Sequence, residues 1–286
     1  MVIYTKLKTK TGKSYSLPSN IYNVLLECKN RVKQKFDAPI LITGSVGSGK
    51  TNLEIGLGGT WEEVLWGRDF GLDYIHFRAE KIIEETNRDD NYYYFIGYDE
   101  AVQGGSSRDG ITKIGAVLRK TLITKRFKGH PIAACVDSLK ELNDKIIERA
   151  IVWYHVHYER LPNGHFRRGI IKVFTAQEAL KVYEDLKAKR YFKTEDHPIW
   201  KKKQRVYTTQ NYMGLWFTEE EYNKKKSIET NLVEKEQDDT MNQRNKAIVF
   251  ALVKGAKQQE IADYVGLSRS SIADIKSKMS SLLLSE

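Results

Sequence analysis

The chain has 286 residues, of which 41% are hydrophobic, and it carries a formal net charge of +10. This length allows one large domain with a small appendage, and the excess of Lys and Arg favours polyanionic partners. No apolar run approaches the roughly 18 residues of a membrane helix, and the basic N-terminus lacks the apolar stretch of a secretory signal.

Short strands and helices alternate along residues 1–187. An alternating polar and apolar pattern predicts a small hairpin in 1–18, and helical spacing predicts a helix in 20–35. The next predicted elements are strand 38–43, a helix from 51, strand 73–77, helix 79–86, strand 92–98, helix 114–125, strand 131–136 and helix 139–148. Residues 151–158 and 166–174 flank Pro162-Asn163-Gly164, a hairpin signal. The alternation predicts an α/β domain with a largely parallel sheet flanked by helices.

A phosphate-binding loop is the strongest motif of the chain. It joins the strand 38–43 to the next helix and matches G-x-x-x-x-G-K-[ST] with Gly44, Ser45, Val46, Gly47, Ser48, Gly49, Lys50 and Thr51. Glycines let backbone N–H groups wrap a phosphate, and the helix N-terminus favours the anion. We expect Lys50 to reach the β- and γ-phosphates of ATP and the Thr51 hydroxyl to ligate Mg²⁺.

An acidic pair follows the third predicted strand of this domain. We expect Asp99 to hold Mg²⁺ through water and Glu100 to polarise an attacking water. The alternative is an ordinary strand followed by two solvated acids. After a phosphate-binding loop the pair favours ATP hydrolysis, and the strand predicted between the two motifs resembles the additional-strand, catalytic-glutamate division of P-loop proteins.

The following segment narrows this resemblance. Leu118-Arg119, Thr124-Lys125-Arg126 and PIAACVDSLKELNDKIIERA resemble the HerA/FtsK branch and the related viral genome-packaging ATPases, over about residues 38–160. The resemblance implies a polar γ-phosphate sensor, usually Gln, at the end of the strand 131–136. This chain has Asp137 there, with Ser138 beside it. An anion facing a phosphate is unfavourable unless it contacts metal, water or a neighbour's cation.

The same resemblance implies a homo-oligomeric ring in which a neighbour's arginine completes the site. Arg126 is the first candidate because it lies just before the sensor strand, and Arg119 and Arg149 are the others. A solvated basic helix face is the alternative for each of them. The loop 104–110 is expected to line the pore of the ring, with Arg108 touching DNA.

Composition changes after the first domain. Residues 188–240 carry runs of like charge and are interpreted as an arm or linker, with one helix capped by Thr218. Residues 241–286 resume helical periodicity and are assigned to a small all-α domain. Within it, residues 258–277 resemble a helix-turn-helix, with 242–253 as the supporting helix, Gly266 in the turn and Ser268 capping the second helix.

The second helix of this motif is expected to enter the major groove of double-stranded DNA. Arg269, Ser270 and Ser271 would meet base edges or phosphates there, and Lys276 phosphates. The alternative is a small helical bundle used for protein contacts or as a lid.

Histidine and cysteine give no metal site in the sequence. His155, His157 and His165 lie in or beside the predicted hairpin and are interpreted as exposed polar residues of its strands. Cys28 and Cys135 match no metal spacing and are interpreted as reduced packing residues of a cytoplasmic protein.

Three functions remain open at this stage. The leading hypothesis is an ATP-driven DNA translocase or packaging motor of a virus or plasmid, acting in the host cytoplasm or the virion. The first alternative is a non-motor ATP switch that binds a DNA site, such as a replication initiator, transposition accessory or regulator. The last is a non-catalytic DNA-binding protein, against which the intact set of Lys50, Thr51, Asp99 and Glu100 argues.

Overall fold

The computed structural model describes residues 2–88, 93–99, 128–142, 144–207 and 211–283. The chain divides into a larger compact unit, residues 1–230, and a smaller one, residues 231–286. The predicted helix 114–125 and the loop 104–110 lie outside the described residues. Among the helices that are described, none combines the length and apolar character needed to cross a membrane.

The first half of the larger unit begins with an isolated hairpin. Its strands are β1 (Tyr4–Lys8) and β2 (Ser14–Pro18). The elements that follow are α1 (Ser19–Lys33), β3 (Ala38–Thr43), α2 (Lys50–Gly59), β4 (Ile75–His76), α3 (Ala79–Asn87) and β5 (Ile96–Tyr98). A π-helical turn, Thr60–Leu65, extends α2.

The second half of the larger unit completes the sheet. Its elements are β6 (Pro131–Val136), α4 (Asp144–Arg149), β7 (Val152–Arg160), β8 (Phe166–Thr175), α5 (Ala176–Lys187), α6 (Pro198–Lys202), β9 (Val206–Tyr207), α7 (Met213–Trp216) and the start of α8 (Glu219–Val253). Short 3₁₀ turns occupy Leu72–Tyr74, Leu139–Glu141 and Thr194–Asp196.

The described strands form a seven-stranded sheet in the order β4-β5-β6-β3-β7-β8-β9. The first five strands pair in parallel, and β8 and β9 add antiparallel pairs at one side. The predicted, largely parallel sheet is therefore confirmed. The sheet also places β6 between β3 and β5, although β6 follows both of them in the chain.

Helices cover both faces of the sheet, so its central strands are buried on both sides. Every residue of β3 and of β6 is buried, as expected of central parallel strands. On one face Ile40 and Ile42 pack with residues of α1 and α2, and on the other face Leu41 packs with residues of α4 and α5. This alternation follows from the two-residue period of a strand.

Three predicted elements differ from the observed ones in extent. The predicted strand 73–77 consists of a 3₁₀ turn followed by the two-residue β4. The described part of the predicted strand 92–98 is regular only over β5. The predicted helix 139–148 is a 3₁₀ turn followed by the short α4. In each case the sequence pattern predicted a longer regular element than the backbone forms.

The described residues 188–207 and 211–230 contain helices and a strand, although runs of like charge indicated an arm or linker. They contribute β9 to the edge of the sheet and belong to the larger unit. Thr218 caps α8 as predicted: its backbone N–H donates to the Glu221 carboxylate, and its hydroxyl accepts from the Glu221 N–H at 3.1 Å. The predicted C-terminal supporting helix, 242–253, is the final part of this same helix.

Residues 211–230, called the strap below, pack against the helix that follows the phosphate-binding loop. The Asn52 side chain accepts a hydrogen bond from the Tyr212 N–H at 2.7 Å. Further along α2, Gly56 faces the Tyr212 ring and Gly59 faces the Trp216 ring, so closely that a Cβ atom would overlap either ring. Two glycines one helical turn apart therefore make room for two aromatic side chains of the strap.

The smaller unit contains the end of α8 and two further helices, α9 (Gln258–Val265) and α10 (Arg269–Leu283). Gly266 ends α9 with φ +69°, a left-handed conformation that glycine adopts without strain. Ser268 caps α10 as predicted, since its hydroxyl accepts from the Ser271 N–H at 3.1 Å. The buried core of this unit consists of Ile248, Ile261, Ala262 and Ile272.

We expect Gly59→Ala to destabilise the larger unit by about 1–3 kcal/mol, despite the better helix propensity of Ala. A Cβ atom at Gly59 would lie 2.1 Å from the Trp216 ring, so the strap would have to shift. Urea unfolding of the full chain measures this difference. Gly71→Ala is the control, because Gly71 is extended and has open space around its Cα. Equal stability of the two variants would contradict the close packing.

Candidate nucleotide-binding site

The phosphate-binding loop leaves the carboxyl end of β3 between the two neighbouring strands. Thr43 pairs with Val136 of β6 and with His155 of β7, so the loop begins at the centre of the sheet edge. Gly44 has φ +149°, and a Cβ atom there would lie 1.9 Å from the Val156 carbonyl oxygen. Only glycine fits at this position, because the loop passes against the backbone of β7.

The predicted loop residues form a turn with the left-handed glycines expected of a phosphate cradle. Gly47 and Gly49 also have positive φ, +74° and +108°. The N–H of Gly169 in β8 donates to the Ser48 carbonyl at 2.9 Å and holds the loop against the hairpin. The Ser48 hydroxyl is buried and has no hydrogen-bond partner among the described residues. Ser45 and Val46 are exposed at the tip.

Lys50 folds its ammonium group back into the loop. Its side chain is 9% exposed, and Nζ donates to the Gly44 carbonyl at 2.5 Å. Nζ also lies 2.8 Å from Oδ1 of Asp137, at the end of β6. The residue predicted as the γ-phosphate sensor is therefore the counterion of the residue predicted to bind that phosphate.

The two predicted Mg²⁺ ligands are in direct contact. The Thr51 hydroxyl donates to Oδ2 of Asp99 at 2.7 Å, and Asp99 is fully buried at the end of β5. An alcohol oxygen and a carboxylate beside a phosphate cradle are the oxygen donors that Mg²⁺ prefers, so the residues fit the ion. The Tyr222 hydroxyl of α8 donates to the same Asp99 oxygen.

A second buried carboxyl group, that of Glu54, lies behind this pair on α2. An oxygen of Glu54, an oxygen of Asp99 and the Cys135 sulfur are all within 4.8 Å of one another. Burial raises the pKa of Glu54 well above its usual value, and the nearby Asp99 carboxylate raises it further. A neutral Glu54 avoids two adjacent buried anions. The sequence analysis missed Glu54 because it does not belong to the loop motif.

Of the remaining residues predicted to act in catalysis, the structure describes Arg149 but not the other three. Glu100, Arg119 and Arg126 lie outside the described residues. Arg149 forms an ion pair with Asp37, with Nη2 2.5 Å from Oδ2. Asp37 precedes β3, so this pair is about 20 Å from the phosphate-binding loop, since a six-residue strand spans that length.

The interpretation of His155 as an exposed strand residue is wrong. His155 is 4% exposed, and its two ring nitrogens contact the Thr43 hydroxyl at 2.8 Å and the Glu195 carboxylate at 3.1 Å. The hydrogen bond from His155 lowers the pKa of Glu195 to about 2. His155 thus ties the end of β3 to the 3₁₀ turn 194–196. His165 is exposed, as expected.

Tyr222 is a second site residue that the sequence pattern did not reveal. The motif of its segment, a capped helix beginning after Thr218, predicted the helix but not what the helix packs on. Burial, followed by the Asp99 charge, raises the pKa of Tyr222, so its hydroxyl remains a proton donor. Its target lies 123 residues earlier in the chain, a separation that local periodicity does not encode.

Comparison with known proteins gives distant structural similarity only. No protein-family model matches the chain, and no curated protein matches it. Among solved structures, the N-terminal domain of zonular occludens toxin from Neisseria meningitidis is 17% identical, with 63% of this chain and 99% of that domain covered and a TM-score of 0.40. A genome packaging NTPase from Sulfolobus turreted icosahedral virus 2, in complex with AMPPCP, is 12% identical, with coverages of 51% and 94% and a TM-score of 0.32.

The larger unit has a P-loop NTPase fold, as its own geometry indicates. A buried strand, a glycine-bearing loop and a helix beginning at Lys50 follow one another, and the loop lies at the carboxyl edge of a parallel sheet. Lys50, Thr51 and Asp99 meet at that edge. The structural similarities above are too distant to carry any inference about what the chain binds or does.

We expect Asp137→Asn to tighten binding of a non-hydrolysable ATP analogue by about 2- to 10-fold. In this variant Lys50 would no longer have to leave a carboxylate in order to bind the phosphates. The modest size reflects the 53% exposure of the Asp137 side chain. Titration calorimetry gives the dissociation constant. Asp69→Asn is the control, since it removes an equal charge from the exposed pair with Lys10. Weaker binding by the Asp137 variant would mean that its carboxylate helps to hold the nucleotide.

Proposed function

We propose that this protein is an ATPase that acts on double-stranded DNA, with a DNA translocase or packaging-type motor as the leading form. The observation that carries the proposal is the convergence of Lys50, Thr51 and Asp99 at the carboxyl edge of the sheet. Three residue types that a P-loop ATPase requires are brought together there from two separate strands.

Each residue of the site has a defined task in this proposal. The loop 44–49 directs backbone N–H groups at the phosphates, and Lys50 leaves Asp137 to bind the β- and γ-phosphates. Thr51 and Asp99 hold Mg²⁺, which when bound supplies positive charge to the phosphate oxygens. Glu100 orients and polarises the attacking water as a general base.

Sheet order supports the assignment to the additional-strand, catalytic-glutamate division. In that arrangement a strand separates the loop strand from the strand bearing the acidic pair, and β6 lies between β3 and β5 here. The end of β6 then faces the γ-phosphate, and Asp137 occupies this position. Lys50 is its counterion before nucleotide binds, and once Lys50 binds the phosphates Asp137 needs a metal, a water or a neighbour's cation instead.

We further propose a homo-oligomeric ring completed by an arginine from a neighbouring subunit. Arg126 and Arg119 remain the first candidates. Arg149 is held by Asp37 at the opposite edge of the sheet, so it reaches only the site of another copy and only after that ion pair opens. The loop 104–110 remains the proposed pore segment, with Arg108 against DNA.

DNA binding is assigned to the helix pair of the smaller unit, taken as a helix-turn-helix. Arg269, Ser270 and Lys276 are exposed on α10, as residues that meet a groove must be. Ser271 is half-buried, and its hydroxyl lies 2.8 Å from that of the cap Ser268. The Ser270 hydroxyl is also 2.8 Å from that of Ser268, so both serines contact the cap, and the exposed Arg269 is the better candidate for a base contact.

The helix pair also favours the second candidate function, an ATP-switched protein that binds a particular DNA site. A motor needs little sequence specificity, whereas a helix that presents Arg269 at its N-terminus is suited to reading bases. In this alternative, bound ATP controls whether the protein assembles on the DNA site that the helix pair reads. Both candidates place the protein where DNA is handled, in the host cytoplasm or a virion.

Glu100→Gln is expected to lower ATP turnover by about 100-fold or more while nucleotide binding is kept, because the general base is lost and the phosphate contacts are not. Steady-state hydrolysis with and without double-stranded DNA, at low and moderate salt, measures this. Glu80→Gln is the control, since Glu80 is 63% exposed on the surface. Turnover that is unaffected by the Glu100 substitution would contradict its assignment.

The same assay separates the two candidates. Stimulation by DNA of any sequence, weakened by salt, favours the motor. Stimulation by particular sequences only favours the switch. Hydrolysis that is indifferent to DNA in every condition would contradict both.

We expect Arg269→Ala to weaken DNA binding by the full chain. If Arg269 contacts a base, its loss would cost about 1–3 kcal/mol at one base pair. If it contacts a phosphate, its loss would lower affinity for all sequences and reduce the slope of log affinity against log salt concentration by about 1. Fluorescence anisotropy with specific and scrambled duplexes measures both. Lys246→Ala, an exposed cation of α8, is the control. Equal affinities of the two variants would assign the helix pair to protein contacts instead.

A further inference from the structure

The strap supplies a hydroxyl group to the oxygen on which the proposed Mg²⁺ site depends. Oδ2 of Asp99 accepts from Thr51 at 2.7 Å and also from Tyr222. Tyr222 is 5% exposed and its ring packs edge-on against Phe77 at 5.4 Å. The hydroxyl is thus directed at Asp99 by packing on the ring behind it.

The second and third turns of α8 are attached to the segment around β4. The Lys225 ammonium donates to the carbonyls of Leu72 and Ile75, at 2.7 and 2.6 Å. One helical turn later, the Glu229 carboxylate accepts from the Phe77 N–H at 3.0 Å. These contacts lie around β4, the strand next to β5, and they hold α8 at Lys225 and Glu229, after its first turn. A displacement of Tyr222 is therefore confined to the first turn of the helix.

Mg²⁺ and the Tyr222 hydroxyl require the same electron pairs. The ion needs close to octahedral oxygen geometry at about 2.0–2.1 Å, directly or through its own waters. Oδ2 has two lone pairs, and the hydroxyls of Thr51 and Tyr222 use both of them. An ion or an ion-bound water that takes Oδ2 must therefore displace one of these two hydroxyls.

We propose that Tyr222 is a positioning residue that competes with Mg²⁺ for Asp99, so that binding of Mg²⁺ with ATP displaces the first turn of α8. The proposal rests on the proposed function, because it takes Thr51 and Asp99 as the ligands of that ion. It adds a second state of the strap: bound to Asp99 before the nucleotide enters, and released from Asp99 afterwards.

Tyr222→Phe tests the competition because it removes one hydroxyl and keeps the ring against Phe77. The probe is a fluorescent, non-hydrolysable ATP analogue, whose binding is titrated against Mg²⁺. We expect the Mg²⁺ concentration for half-maximal binding to fall by about 3- to 10-fold, which is the range for losing a typical intramolecular hydrogen bond. Affinity for the analogue in excess chelator should stay unchanged.

Tyr212→Phe is the matched control in the same segment. Its hydroxyl is also buried, but it donates to the Ser16 carbonyl at 2.9 Å and not to the site. The Mg²⁺ concentration for half-maximal binding of the analogue to Tyr212→Phe should equal that of the wild type. An unchanged or increased Mg²⁺ requirement in Tyr222→Phe would overturn the competition, while Mg²⁺-dependent binding by the wild type would leave the proposed function standing.

Amide hydrogen exchange of the wild type tests the same idea without a substitution. Addition of Mg²⁺ and the analogue should speed exchange several-fold at residues 219–224 and should not do so in chelator. Unchanged or slower exchange there, with the analogue bound, would overturn the displacement. If the analogue does not bind the wild type at any Mg²⁺ concentration, both this inference and the proposed function fail.

Discussion

The parallel pairing of β6 with β3 and β5 is the constraint on which the site depends. In a parallel sheet the carboxyl ends of neighbouring strands lie at one edge, and the register then decides which residues meet. Thr43 pairs with Val136, and Tyr98 pairs with Ala134. Gly44, the first residue of the loop, is therefore level with Asp137, and Asp99 is level with Cys135, two residues earlier in β6. The loop, Asp137 and Asp99 thus come to one edge of the sheet without any local sequence relation between them.

Bringing charged groups to a buried edge has a cost that the structure meets with specific partners. Lys50 and Asp99 are almost completely buried, and a charge in that environment needs hydrogen bonds or a counterion. Lys50 has loop carbonyls and Asp137, and Asp99 has the hydroxyls of Thr51 and Tyr222. Partners of this kind stabilise the buried charges, and under the proposed function each of them must move or be shared when phosphate and metal bind.

The strap shows how a segment with a misleading composition becomes part of the core. Most of its charges, those of Glu219, Glu220, Glu221 and Lys224, are exposed, while Tyr212, Leu215, Phe217 and Tyr222 are buried together with the Glu229 carboxylate. A count of charges over residues 188–240 averages these two populations and indicates an arm. The spacing of Gly56 and Gly59, one turn apart on α2, was the available signal that another element approaches closely, although glycines alone do not say which element it is.

The sequence by itself determined the features that depend on interactions between residues close together in the chain. The phosphate-binding loop, the hairpin signal at 162–164 and the caps Thr218 and Ser268 each depend on residues a few positions apart, and the alternation of strands and helices determined the fold class. Only the tertiary structure decided that Asp137 neutralises Lys50, that His155 is buried against Thr43 and that Tyr222 reaches Asp99. Those contacts join residues 87 to 123 positions apart, and packing and register select them after the local elements have formed.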